Sequence, residues 1–165
     1  MAWDAVRNTI ALEFSDLGSV EEVTQLVLRL LVAAFLGGLL GLERELQGKP
    51  AGIRTHMLVS ASSALIVYVT LKMGLEGDAL SRVLQGLLAG IGFLCAGAIL
   101  KLEREEQVTG LTTAASVWMT SAIGIAAGLG RETTAALATL LVLFILWLER
   151  PLKRLGIKPP HDREG

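Results

Sequence analysis

Six ionisable side chains stand within the fourteen positions from Glu43 to His56: Glu43, Arg44, Glu45, Lys49, Arg54 and His56. Their types allow three chemistries. Glu43 and Glu45 suit a hydrated magnesium ion, which binds one or two carboxylates and keeps most of its waters. Arg44 and Arg54, beside helix starts, suit an anion or an acidic partner segment. The first turn of a helix presents unpaired N–H groups and the positive end of its dipole. Thr55, Thr112 and Thr113 are of the type that caps such starts. In the third arrangement nothing is bound: Glu43 lies against helix ends and pairs with Arg54, tying two helical hairpins together.

Catalytic signals are poor, and the expectation is a protein that is not an enzyme. His56 and His161 are the only histidines, and neither has metal-ligand spacing. The glycine-rich run GIGFLCAG has no lysine and lies inside an apolar segment, so its glycines are better read as packing than as a phosphate loop. Cys95, the single cysteine, lies in the same run, where a thiol behaves as a small hydrophobe; no internal disulfide is possible. Net charge is −1 and aromatics are 5%, so nothing in the sequence serves nucleic acid.

The elements that must position these groups are apolar. Of 165 residues 52% are hydrophobic, and the 19% that are charged are segregated between greasy runs. The pattern predicts an all-α, polytopic transmembrane bundle of about five helices, at Thr24–Leu42, Met57–Leu71, Val83–Leu100, Leu111–Leu129 and Thr133–Leu148. A soluble bundle would need polar stripes at helical spacing, and the fifth run, TTAALATLLVLFILWL, has none. Residues 1–23 form an extracytoplasmic segment, 24–150 the membrane domain and 151–165 a basic cytoplasmic tail. No cleavable signal peptide is expected, because five acidic residues precede the first long apolar run. Trp3, Val6, Ile10, Leu12 and Phe14 would make either a short interfacial helix or a loosely ordered arm.

With five crossings, the Lys and Arg of the loops and tails divide four on the N-terminal side to ten on the other. That places the N-terminus outside and the C-terminus in the cytoplasm. The ends of the first and third helices and the starts of the second and fourth then gather Glu43–Glu45, Arg54–His56, Thr112 and Thr113 at one cytoplasmic mouth. LEREEQ, 102–107, reads as a solvated loop, and the basic tail is suited to anionic lipid.

Within the segments, small residues recur every four positions. Gly37 and Gly41, Gly86 and Gly90, Gly92 with neighbouring Gly97, and Gly124 and Gly128 are expected to let helices approach closely inside one compact bundle, with a dimer seam as the alternative. Arg29 lies about 8 Å into the first helix, where it either snorkels or pairs with another helix. Gln85, Tyr68, Thr70, Ser116, Thr120 and Ser121 can supply interhelical hydrogen bonds, and Cys95 is a further polar group at membrane depth. No acid lies in the apolar cores, which weakens a proton-coupled transporter.

Four blocks in order, GLLGLERELQGKPAGIRTHMLV, SRVLQGLLAGIGFLCAGAILK, VTGLTTAASVWMTSAIGIAAGLG and the apolar run ending in LERPLKR, resemble the MgtC/SapB family of bacterial inner-membrane proteins. They cover roughly Leu26 to Arg154. The resemblance implies a compact multi-pass domain of the inner membrane, able to form a homodimer, with a role in magnesium homeostasis. Family members are linked to growth in low magnesium and to virulence. Some are described as regulators of other membrane proteins, including the F-type ATP synthase, and others as magnesium or ion transporters. The expected function is a non-enzymatic regulator, and the alternative is a magnesium or small-ion transporter or channel. Cys95 departs from the glycine usual in GFLGAG. The chain stops at Gly165, where several relatives continue into a soluble domain, so a role resting on that domain is not carried over.

Overall fold

The computed structural model describes residues 2–15, 18–99 and 109–154, with side chains described as far as Leu148. These residues form six α-helices and no strand: α1 (Ala2–Glu13), α2 (Val20–Leu46), α3 (Ile53–Lys72), α4 (Asp78–Ile99), α5 (Leu111–Gly128) and α6 (Glu132–Arg154). The run LEREEQ and His161 lie outside the described residues. The expected polytopic helical bundle is present, with each of the five apolar runs on its own helix.

The helix limits follow from local chemistry. Ser19 caps α2, its Oγ accepting from Glu22 N–H at 3.1 Å, while the Glu22 carboxylate reaches back to Gly18 N–H at 3.0 Å. This is the Ser-x-x-Glu start signal, and it begins α2 four residues before the expected Thr24. Three helices end alike. Lys49 N–H bonds Arg44 O, Leu75 N–H bonds Thr70 O and Arg131 N–H bonds Ala126 O, each over a glycine of positive φ (Gly48, Gly74, Gly130). A residue with a Cβ is disfavoured in that left-handed position, and the motif closes orphan carbonyls at the helix end.

Direction is read from contacts between helices. On α2 and α3, Gly41 lies on Ile53, Gly37 on His56 and Ser60, and the Glu22 carbonyl takes the Tyr68 hydroxyl. Rising numbers on one meet falling numbers on the other, so the two are antiparallel. On α3 and α5, His56 meets Ser116, Ser63 meets Ser121 and Ala64 meets Gly128, so these two are parallel. On α4 and α5, Cys95 meets Ala114 and Ala98 meets Gly110, which is antiparallel. The end of α2 and the starts of α3 and α5 therefore share one end of the bundle.

Helix α5 is the centre and packs on α2, α3, α4 and α6. One apolar core joins Ala33, Leu36 and Leu40 of α2 to Ala64, Ile123, Ala127, Ala135, Val142 and Leu146. A smaller one joins Val59, Ile91, Cys95, Ala114 and Val117 of α3, α4 and α5. Outside the cores, Leu31, Phe35, Phe93, Leu140, Leu141, Phe144 and Ile145 are exposed. That much exposed apolar surface belongs in lipid, where it needs no cover. Four helices, α2 to α5, are long and apolar enough to cross a membrane. The fifth expected span lies on α6, where the apolar run ends at Leu148 and the helix continues to Arg154. Trp147 lies at its end, half exposed and stacked on Phe144 at 6.3 Å between ring centres.

Candidate functional site

The sequence placed its charged cluster in a loop, but the helices run further. Glu43, Arg44 and Glu45 occupy the last turn of α2, and Arg54, Thr55 and His56 the first turn of α3. Arg44 turns inward and is the largest fully buried side chain, at 0% exposure. Glu43 Oε2 lies against its Nε and Nη2 at 2.6 and 2.5 Å. Nη1 has no hydrogen-bond partner among the described residues. An arginine taken out of water is tolerated only with such a counter-charge beside it. Its place near the end of α2 also sets its charge against the negative end of that helix dipole.

Two expectations about this end are corrected. The carboxylate that meets the start of α3 belongs to Glu45, not Glu43: Glu45 Oε2 accepts from Ile53 N–H at 2.9 Å. Arg54 remains exposed and makes no ion pair with Glu43 among the described residues. Helical geometry explains the exchange. Neighbours two apart point to different sides, so when Glu43 turns toward Arg44, Glu45 faces the α2–α3 turn. The threonines are not the caps. Gly52 and Gly110 hold the cap positions without a side-chain bond, Thr55 and Thr112 are exposed, and Thr113 is buried on α5 at 1% exposure.

The same geometry bears on magnesium. Glu43 and Glu45 face apart and are already engaged, by Arg44 and by the α3 backbone. No group of three His, Cys, Asp or Glu able to hold a metal occurs among the described residues. As placed, the two carboxylates do not converge on one point. A shallow cavity of about 330 Å³ does open here, lined by Glu45, Gly52, Ile53, Arg54 and Thr55.

From this end a seam of buried polar groups runs between α3 and α5. His56, 0% exposed, has Nδ1 3.0 Å from Gly52 O and Nε2 3.3 Å from Ser116 Oγ. Ser116 in turn donates to Thr113 O at 2.8 Å. Ser63 and Ser121 share a hydrogen bond of 2.9 Å, and Thr120 bonds Ser116 O. Glycines bring α2 and α5 close against the backbone of α3. A Cβ built at Gly37 would lie 2.6 Å from His56 O, at Gly41 2.5 Å from the Ile53 Cα and at Gly128 2.6 Å from Ala64 O, and at Gly124 it would run into Ser60 O. These four glycines do what their spacing predicted.

The glycines of α4 do not. Among the described residues, a Cβ at Gly86, Gly90, Gly92 or Gly97 would meet nothing within 4 Å. The expectation that they pack inside the bundle is corrected: α4 touches α5 and α3 with Ile91 and Cys95 and turns Gly86, Gly90, Phe93 and Gly97 away. Cys95 Sγ donates to Ala114 O at 3.1 Å, so the thiol fills a helix contact. Gln85 is exposed near the start of α4, its amide 3.5 Å from Ser81 Oγ.

At the opposite end Arg29 resolves between its two alternatives in favour of helix pairing. Its Nη1 donates to Gly128 O at 2.8 Å, and its guanidinium lies 5.6 Å from the centre of the Tyr68 ring. Lys72 sits at the same distance from that ring and bonds Glu22 at 2.7 Å, and the Tyr68 hydroxyl donates to Glu22 O at 3.1 Å. Tyr68 is among the residues expected to bond between helices; its partners Glu22 and Lys72 are not foreseen in the sequence. The one signal was a tyrosine and a lysine four apart at the end of an apolar run.

Long apolar helices, polar side chains paired between helices and bulky side chains turned outward define a multi-pass helical membrane protein. Within that class the chain belongs to the MgtC family, whose model matches residues 30–155. It is 41% identical over 141 residues to protein SrpB of Synechococcus elongatus, covering 78% of this chain and 76% of that one. It is 38% identical over 139 residues to protein MgtC of Salmonella typhimurium LT2, covering 84% of this chain and 58% of that protein. It is 36% identical over 129 residues to YhiD of Escherichia coli K12, whose name proposes a magnesium transporter, covering 74% of this chain and 59% of that protein. The chain thus spans less than two thirds of the length of MgtC and YhiD. No solved structure matches it.

Proposed function

We propose that this protein serves magnesium homeostasis in a bacterial inner membrane as a non-enzymatic regulator, acting through helix contacts with other membrane proteins. It sits N-out and C-in, as its loop charges favour. The observation that carries the reading is the open face of α4. Glycine in a helix costs about 0.5–1 kcal/mol relative to alanine, and Gly86, Gly90 and Gly97 on this face relieve no contact among the described residues. In a bilayer, bare glycine backbone is the surface that a neighbouring helix approaches closely. A second copy of the chain and a transporter or ATP synthase are the partners this face would take.

The rival reading is a magnesium or other small-ion transporter. What favours it is the polar seam from His56 to Ser121, together with the name carried by YhiD. Against it, the seam holds no carboxylate and backbone contacts at Gly124 and Gly128 close it.

Two measurements decide. Wild type and Gly90→Leu are tested for rescue of a deletion strain in low magnesium, and purified wild type for magnesium flux in liposomes. The regulator reading expects no flux from the purified protein, and loss of rescue by Gly90→Leu with unchanged thermal stability. Robust selective flux that disappears in Glu43→Ala would sink it.

A further inference from the structure

We infer that α1 is a membrane-surface helix, lying along the lipid interface with Trp3, Val6, Ile10 and Phe14 turned into the acyl boundary. The four residues are spaced three, four and four apart, which puts them on one face of a helix. The helical turn extends to Phe14, whose N–H bonds Ile10 O at 3.2 Å. All four are exposed, Trp3 by 79% and Phe14 by 84%. Among the described residues α1 packs on no other helix. Water cannot be the cover for such a stripe, which combines two large aromatics with two β-branched side chains.

The occupant follows from where α1 is tied. Only six residues, 14–19, separate its last turn from Val20, a reach of about 20 Å even when fully extended. The chain enters α2 beside the belt of Glu22, Tyr68 and Lys72, whose ion pair and tyrosine hydroxyl mark the boundary between polar and apolar surroundings at that end. Helix α1 is therefore held at a lipid surface whatever else is present. Its charges, Asp4, Arg7 and Glu13, sum to −1, so anionic headgroups do not attract it. Arg7 and Glu13 flank the stripe on opposite sides, where their heads reach water while the stripe is submerged. The partner is thus the apolar part of the lipid surface rather than its charge.

The test uses the full chain with Trp118→Phe and Trp147→Phe, so that Trp3 alone emits, reconstituted in phosphatidylcholine vesicles brominated either near the headgroup or near the bilayer centre. The expected result is at least twofold quenching of Trp3 by shallow bromine, less by deep bromine, and the same in vesicles containing phosphatidylglycerol or in high salt. Val6→Glu with Ile10→Glu should abolish the quenching and leave the unfolding temperature of the bundle unchanged. Ready access of aqueous iodide to Trp3 would overturn the inference. So would protection from both iodide and lipid bromine, which would mean that a second copy covers the stripe. Quenching that appears only with phosphatidylglycerol and vanishes in salt would overturn it as well, by making charge the attraction.

Discussion

Gly124 of α5 sits directly on the backbone carbonyl of Ser60 of α3, with no room for a methyl group between them. The contact is backbone against backbone, so no rotamer change relieves a larger residue. Gly124→Ala should destabilise the bundle by about 1–3 kcal/mol, the usual cost of overpacking. Gly90→Ala, on the open face of α4, should be neutral or stabilising by a fraction of a kcal/mol through helix propensity. Thermal unfolding in one detergent measures both. Equal effects would show that the two glycines are in similar surroundings and would remove the distinction drawn here.

That contrast marks how far the sequence can be read. A four-residue spacing says which residues share a face, and says nothing about whether a neighbour covers it. Gly37 and Gly86 look alike on paper; one lies under His56 and the other faces open space. The apolar runs were legible because hydrocarbon thickness sets their length. The start of α2 was legible too, in Ser19 and Glu22, yet hydropathy alone draws it later, since Glu21 and Glu22 look like loop. The glycine ends of α2, α3 and α5 were equally readable. The belt at Tyr68 was not, because Glu22 lies 46 residues from it and 50 from Lys72, and only the antiparallel packing of α2 on α3 joins them. The exchange of roles between Glu43 and Glu45 turned on side-chain direction, which composition does not carry.

Arg29 holds the end of α5 to α2. Gly128 is among the last residues of α5, whose final carbonyls have no partner within the helix, and the guanidinium supplies a charged donor to one of them. Arg29→Ala should cost about 1.5–3 kcal/mol, the range for a hydrogen bond to a charged group. Arg29→Lys should recover only part, since an ammonium lacks the planar fork that bonds Gly128 O while lying near the Tyr68 ring. Unfolding of the three proteins in detergent provides the check. A lysine variant as stable as wild type would reduce Arg29 to a point charge.

The start of α3 depends on Glu45. Removing its carboxylate leaves Ile53 N–H without an acceptor at a helix end that has no side-chain cap. Glu45→Ala should cost about 1 kcal/mol, as the loss of a cap does. Arg54→Ala, on an exposed residue, should change stability by no more than about 0.5 kcal/mol. Hydrogen exchange at the first turn of α3 localises the effect: protection should fall in Glu45→Ala and hold in Arg54→Ala. The reverse order would restore Arg54 as the residue that ties the two hairpins.

Glu43 and Arg44 should behave as one unit. Removing either member takes the adjacent counter-charge from the other, and breaking a buried pair costs about 3–5 kcal/mol. Removing both takes out the two charges together, so Glu43→Gln with Arg44→Met should lose less than the sum of the singles, and the interaction term of the double-mutant cycle should be large. The cycle of Glu43→Gln with Arg54→Ala should be additive, since Arg54 is exposed and makes no ion pair with Glu43 among the described residues. The two cycles, run side by side by thermal unfolding in detergent, separate a buried pair within the last turn of α2 from an ion pair that bridges two helices. Coupling confined to the second cycle would mean that the arginine buried at the end of α2 draws its compensation from some group other than Glu43.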